Sequence, residues 1–497
     1  MRAPRLILGA AALAGACARS APAPVQAPAP VTPAPTAVAV PAGPDLTIPP
    51  ALGPAPALAL PPVVSRTLAN GMRLLVVEQH ELPVADFVLQ VGTGYEADPA
   101  NHAGLANFTA NMLDEGTATR TSLQIADQAA FLGIDIGAGA GWDASRISMH
   151  TPTAQLDSAL ALFADIALHP AFPARELERI RKERLTALVQ YKDQPTQIAN
   201  VVYAATVYGA AHPYGHPVGG TEASVKNITR ADIERFHRTY YRPNNATLIV
   251  VGDVRADDVE RRANALFGGW ARGEVPTVTL AAAPSAGATT VYLVDKPGAA
   301  QSSFRLGGIG AARTTDDYFA LLVMNTILGG SFTSRLNQNL RETKGYTYGA
   351  NSRFDFRRDA GPFIASAEVV AAKTDSALVE FMKELRAIRD TVPAPELEKA
   401  KRYVQLRLPA IFETTQGIAG QLAPVALYGL PLDYYNSYVQ RIEAVTQADV
   451  QRVAQRYVDP SKLAIVIVGD RKSIEPGLRA VGAGPVVLRD LWGKPIP

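Results

Sequence analysis

The sequence predicts an α/β protein built as two tandem homologous domains, each a β-sheet layered with helices. A block of the chain recurs: Ile228-Thr229-Arg230-Ala231-Asp232-Ile233, Tyr240, Pro243 and Val251-Gly252-Asp253 return as Val445-Thr446-Gln447-Ala448-Asp449-Val450, Tyr457, Pro460 and Val468-Gly469-Asp470, at a constant offset of 217 residues. A second match sets Pro173-Ala174 and Glu176-Leu177-Glu178 against Pro393-Ala394 and Glu396-Leu397-Glu398, with an offset of 220. Between these blocks, short apolar runs alternate with long amphipathic stretches, the pattern of helices packed on sheets.

Taken in order, the 497 residues open with Met1-Arg2-Ala3-Pro4-Arg5 and the apolar run Leu6 to Ala16. A charged start before a short apolar core predicts an export signal over 1–17, too short to span a bilayer as a helix. Cys17 is the only cysteine, so no disulfide can form within the chain. Ala14-Gly15-Ala16-Cys17 resembles a bacterial lipoprotein box, with Ala14 where Leu is usual, and that resemblance makes Cys17 the lipidated residue. A plain small-x-small cleavage site fits the same three residues. Ala18, which is not Asp, points to the periplasmic face of the outer membrane, with the soluble periplasm as the alternative. Residues 18–63 are Pro, Ala and Val with almost no charge and read as a semi-extended tether.

The first domain is expected over 64–275. Arg73 to Val77 and Ala85 to Val91 read as strands, and Ala174 to Tyr191 as a long amphipathic helix. In Gly104 to Leu113, residues Leu105, Phe108, Thr109, Met112 and Leu113 form one buried helical stripe, which leaves Asn107, Ala110 and Asn111 together on the opposite face. In each copy of the repeat Thr229 or Thr446 caps a helix, Pro243 or Pro460 breaks the chain, and Leu248 to Val251 or Leu463 to Val468 is a buried strand. Residues 276–288 form an Ala- and Pro-rich linker, and the second domain follows over 289–488.

A net charge of +2 with 19% charged residues offers no basic stripe for nucleic acid. His212 and His216 lie in a Pro- and Gly-containing stretch that forbids the helix needed to bring them together, so a surface loop is expected there. The runs Gly139-Ala140-Gly141 and Gly307-Gly308-Ile309-Gly310 lack a phosphate-loop Lys-Ser/Thr and read as strand or turn glycines. His102 and His150 each stand alone. No Ser-His-Asp or Cys-His set is identifiable, so an autonomous hydrolase is the least favoured reading.

With Glu96-Ala97-Asp98 before it and Asp114-Glu115-Gly116-Thr117 after it, the 104–113 helix resembles the signature helix of the insulinase/pitrilysin family of zinc peptidases. The family carries His-x-x-Glu-His on the face where this chain has Asn107, Ala110 and Asn111. The resemblance sets the third ligand, a Glu, at Ala187, with Thr186 beside it. Catalytic zinc needs about three strong protein donors plus a water, and hydrolysis needs a base for that water. An Asn amide is a poor ligand and Ala is neither ligand nor base, so all four positions are degenerate.

The second half carries Leu328-Gly329-Gly330-Ser331-Phe332-Thr333-Ser334-Arg335-Leu336, continuing from Leu340 to Tyr348. This run resembles the family segment with a paired Arg and Tyr, which fall on Arg341 and Tyr348. In the family the pair helps to hold the substrate's peptide carbonyl beside zinc bound in the other half. The bland alternative is a helix-end Arg, favoured by the dipole, and an ordinary strand Tyr.

The resemblance therefore implies two domains of the family's half-molecule type. It also implies a chain inactive alone that binds no cofactor: the substrate-binding member of a heterodimer whose homologous partner holds zinc, as in mitochondrial processing peptidase. Peptides or exported protein fragments would be the substrates, bound as an added strand on a sheet edge. The competing expectation is a scaffold of the same fold with no part in proteolysis, as for the core subunits of the respiratory bc1 complex.

Overall fold

The computed structural model describes residues 60–284 and 287–496. The expected export signal, Cys17 and the tether up to residue 59 lie outside the described residues. Two six-stranded sheets carry the fold. The first comprises β1 (Val64–Thr67), β2 (Arg73–Glu78), β3 (Val84–Val91), β4 (Asp135–Ala140), β5 (Ser145–Pro152) and β6 (Ala246–Gly252), in the order β1-β2-β6-β3-β5-β4. The second comprises β7 (Thr290–Asp295), β8 (Gln301–Ile309), β9 (Thr347–Phe354), β10 (Pro362–Val370), β11 (Ala464–Gly469) and β12 (Val486–Arg489), in the order β12-β7-β11-β8-β10-β9.

The duplication is visible in this order, because β2-β6-β3-β5-β4 and β7-β11-β8-β10-β9 are the same path. The copies differ at the far edge, where β1 runs antiparallel to β2 but β12 runs parallel to β7. The helix caps repeat as well. Thr229 accepts from the Asp232 amide at the start of helix Arg230–Tyr240, and Thr446 accepts from the Asp449 amide at the start of helix Gln447–Tyr457. In both boxes the Asp side chain bonds back to the cap residue, satisfying amides that a helix start leaves free.

Strands β2 and β11 carry unbroken apolar runs, Leu74 to Val77 and Ala464 to Val468, because both of their faces are covered. Alternate residues of a strand point to opposite faces. In β2, Leu74 and Val76 face the first domain's own helices, while Leu75 and Val77 face Ile418, Ala419 and Leu422 of helix Thr415–Leu427, which comes from the second half. In β11, Ile465 and Ile467 face the second half's own core, while Val466 and Val468 meet Ile198, Val202 and Tyr203 of helix Pro195–Tyr208, from the first half. The halves thus exchange helices. Polar ties accompany the exchange: Tyr203 Oη donates to the Phe363 carbonyl at 2.5 Å, and Gln90 Nε2 to the Ala423 carbonyl at 3.0 Å. Among the described residues no helix is long and apolar enough to cross a membrane.

Candidate functional site

The helix bearing the two asparagines runs over Leu105–Asn111. It begins where Gly104 takes a left-handed φ of 95°, a conformation that favours glycine, and where the Asp98 carboxylate accepts from the amides of Gly104 (2.7 Å) and Ala106 (2.8 Å). Asn107 Nδ2 donates to the Tyr95 hydroxyl at 3.3 Å, and Asn111 Nδ2 to Asn107 Oδ1 at 3.0 Å, one helical turn away. The sequence reading placed Ala110 with these asparagines, on the face opposite the buried stripe. The structure corrects this: Ala110 is fully buried, because this short helix is packed from several sides, by helix Arg230–Tyr240, by β4 and β5, and by the turn Tyr95–Ala97.

Ala187 lies half-buried on helix Ala174–Tyr191, and the exposed Thr186 hydroxyl donates to the Lys182 carbonyl at 2.9 Å. One turn earlier, Arg184 donates through Nε to the Gly219 carbonyl at 2.6 Å. Burial pushes the Tyr95 phenol up and the Asp98 charge adds to the rise, while the Asn107 bond and the charge of Arg184 pull against it. These residues do not fit a zinc ion. The Oδ1 of Asn107 is already taken by Asn111, Ala187 has only a methyl, and among the described residues no three His, Cys, Asp or Glu side chains come together as a metal cluster.

Two buried acids flank this place. Asp98 is raised to about 7 by burial, which outweighs its backbone hydrogen bonds. Glu96 accepts from the Gly94 amide through Oε2 at 2.9 Å, while its buried Oε1 has no hydrogen bond and only the Arg358 guanidinium 3.9 Å away. Burial and then the nearby Asp143 carboxylate raise Glu96 to about 8 from the ordinary 4.5. The folded chain therefore keeps a proton on Glu96 that the unfolded chain releases between those two values. Stability falls as pH rises through that window, with a slope from this group of at most ~1.4 kcal/mol per pH unit. Glu96→Gln, which cannot ionise, removes that slope. Urea midpoints from pH 5 to 8 test this, and parallel profiles for variant and parent would contradict it.

On the second sheet, Tyr348 stands on the edge strand β9 and is 87% exposed. Arg341 sits in a single π-helical turn, Gln338–Thr343. The structure brings the two together: the Arg341 guanidinium lies 4.9 Å from the Tyr348 ring centre and 4.6 Å from the ring of Phe332, which is itself 57% exposed. Its nearest carboxylate is Glu342, at 3.3 Å. Asn337, buried, fixes the arrangement by donating to the Phe332 carbonyl (2.7 Å) and accepting from the Ala350 amide of β9 (3.1 Å). Sequence reasoning missed the part played by Phe332. Its signal was an aromatic residue directly after the Gly329-Gly330-Ser331 turn, where no strand or helix would bury it.

The first sheet leaves β4 as its free edge. Gly141 donates its amide to the Ala144 carbonyl at 2.7 Å, and the register continues as Gly139 to Arg146 and Gly137 to Ser148. Hydrogen-bonded pairs alternate in an antiparallel ladder, so the N–H and C=O of Ile136, Ala138 and Ala140 point outward along the open edge.

The remaining sequence candidates have structural roles. His212 corrects the surface-loop expectation: it is buried, its Nδ1 accepts from the Tyr214 amide at 3.0 Å, and its ring packs on Tyr208 and Tyr214. His216 Nε2 bonds to the Ala210 carbonyl at 2.8 Å. His150 meets Asp86 at 3.1 Å, and His102 meets Asn101 at 2.9 Å.

Comparison with known proteins bears on this geometry. Residues 73–221 match the family model described as insulinase (peptidase family M16), and residues 227–404 match that of the peptidase M16 inactive domain. The chain is 30% identical to the crystal structure of a peptidase M16 inactive domain from Pseudomonas fluorescens, with a TM-score of 0.77, covering 82% of this chain and 98% of that one. A protease from Helicobacter pylori superposes with a TM-score of 0.76 at 23% identity, over 82% of this chain and 100% of that one, a likeness of fold. An uncharacterised zinc protease of Mycobacterium tuberculosis is 27% identical over 421 residues, 84% of this chain and 95% of that protein.

Proposed function

The chain belongs to the insulinase family, peptidase M16, and on that premise we propose that it is the non-catalytic, substrate-binding subunit of a heteromeric zinc endopeptidase. The zinc, and the base that activates its water, reside in a homologous partner subunit. This chain supplies Arg341 and Tyr348 to the partner's site.

The observation that carries the reading is the contrast between two sets of side chains. The metal positions hold two hydrogen-bonded amides and two methyl groups, while Arg341 and Tyr348 are assembled side by side, the phenol exposed and the guanidinium half-buried against it. A guanidinium and a phenol aimed at a peptide carbonyl stabilise the oxyanion that forms when water attacks, and such donors count among the larger catalytic terms. The outward amides and carbonyls of β4 suit an extended peptide, which can pair there largely regardless of its sequence. Peptides or fragments of exported proteins fit that edge.

The test is reconstitution. Alone, the chain should hold no stoichiometric zinc and cleave no peptide; mixed with a zinc-bearing homologue from the same cell, it should give peptidase activity that neither partner shows alone. One tightly bound zinc per chain, with chelator-sensitive hydrolysis, would overturn the proposal. We also propose that Cys17 is lipidated and holds the chain at the periplasmic face of the outer membrane, a reading supported by Ala14-Gly15-Ala16-Cys17 and Ala18. Labelled fatty acid should enter the parent chain but not Cys17→Ser, and incorporation that persists in the variant would rule the anchor out.

A further inference from the structure

Beside β4 lies a cavity of about 600 Å³ between the first sheet and the second half. Its floor is Gly137 and Gly139, where a Cβ would meet no atom within 4 Å, so the space above this face is open for want of side chains. Arg146 stands directly across the ladder from Gly139, and Arg357 and Tyr428 wall the other side.

The cavity's acids are already committed. Both Asp143 oxygens are taken, Oδ1 by the Tyr214 hydroxyl (2.9 Å) and Oδ2 by the Tyr428 hydroxyl (2.9 Å) and the Arg358 amide (2.7 Å). Asp355 accepts from Arg357 Nε at 3.1 Å and Nη2 at 2.6 Å. The arginines are less well served. Arg146 donates through Nε to the neutral Gln90 Oε1 at 2.9 Å, and among the described residues no carboxylate lies within ion-pair distance of it. Arg357 has a side chain only 6% exposed, is stacked 3.7 Å from the Trp142 ring, and has its Nη1 buried without a partner. That donor is shut off from solvent and Asp355 holds the other two guanidinium nitrogens, which leaves the exposed Arg146 as the cation open to the cavity.

We propose that this cavity is a carboxylate subsite for peptides paired along β4, with Arg146 as the partner of the carboxylate. The inference rests on the reading that the chain binds extended peptides at this edge, and it adds a preference for an acidic group. An added strand bonds to Ile136, Ala138 and Ala140, so its residues opposite Gly137 and Gly139 form the closer, non-hydrogen-bonded pairs and share the glycine face. Every second side chain of the peptide then stands over the cavity. A glutamate or aspartate side chain and a peptide's terminal carboxylate carry the same chemistry.

Fluorescence anisotropy with the full chain tests this. The probes are labelled ten-residue Ala/Ser/Val peptides: one with a central Glu and an amidated end, its Gln twin, and that twin with a free terminal carboxylate. A charge-assisted pair lost on changing Glu to Gln should weaken binding about tenfold or more. Arg146→Gln should abolish the difference, and so should Gly139→Val, which sets a branched side chain directly across the ladder from Arg146 at a strand position with room for it. Tighter binding of the free acid alone assigns the subsite to chain termini. Equal binding of all three peptides overturns the subsite and leaves edge binding standing, as does a preference that survives both variants. If none of the peptides binds, the peptide-binding reading fails and the subsite fails with it.

Discussion

In a complex of this chain with a zinc-bearing homologous subunit, Arg341→Ala is expected to lower turnover by roughly 10²–10³, the usual effect of removing one oxyanion donor. Assembly of the complex should be unchanged, because the guanidinium is held by Phe332, Tyr348 and Glu342 at the surface and not by the core. Tyr348→Phe removes a single hydroxyl and keeps the ring on the guanidinium, so it should lower turnover less. Both losses should fall on kcat more than on KM, since the donors act on charge that develops only in the transition state. The measurement is steady-state cleavage of a fluorogenic peptide, with complex formation followed by gel filtration. A complex that works equally well with both variants would remove the substrate-contact role and favour a scaffold.

The second large effect concerns the fold. Residues 60–284 expressed without the second half are expected to give no cooperative unfolding transition. In that fragment helix Pro195–Tyr208 would expose Ile198, Val202, Tyr203 and Val207, and the first sheet would lose the cover of Ile418 and Leu422 over Leu75, Val77, Ile249 and Val251. At roughly 1.5–3 kcal/mol for each large apolar side chain returned to water, the loss is on the order of 10 kcal/mol, as large as the whole stability of an ordinary domain. Co-expression with residues 287–496 should recover a soluble complex, since every contact is restored except one chain connection. A sharp, two-state urea transition for the fragment alone would show that the exchanged helices are dispensable.

The local elements were largely legible in the sequence because their causes are local. Ala174 to Tyr191 is read from helical periodicity and is the helix observed. The Thr229 and Thr446 caps follow from the residue three positions on. Unbroken apolar runs such as Leu74 to Val77 signal strands covered on both faces, though not by what. Arg341 and Tyr348 were found through a motif, and the structure places them together.

Other features depend on atoms far away in the chain. Ala110 sits at a position that helical periodicity turns away from the buried stripe, yet it is fully buried in a helix packed against helix Arg230–Tyr240 and β4. His212 is buried because Tyr208 and Tyr214 fold around it, and nothing in a Pro- and Gly-containing stretch announces that. Phe332 became a partner of Arg341 only once Asn337 tied its loop to β9.

By itself, then, the sequence determined the duplication, legible as residues recurring at one offset, and the strand and helix periods, which follow from residue type and spacing along a few turns of chain; the reading of Asn107, Ala110, Asn111 and Ala187 as degenerate metal positions came from the family resemblance. Tertiary structure alone decided the exchange of helices Pro195–Tyr208 and Thr415–Leu427, the aromatic clasp on Arg341 and the open floor at Gly137 and Gly139. An apolar stripe states that a face must be covered, but burial is non-directional, and any apolar surface of matching shape satisfies it. Which surface does so is set by the packing of the whole chain.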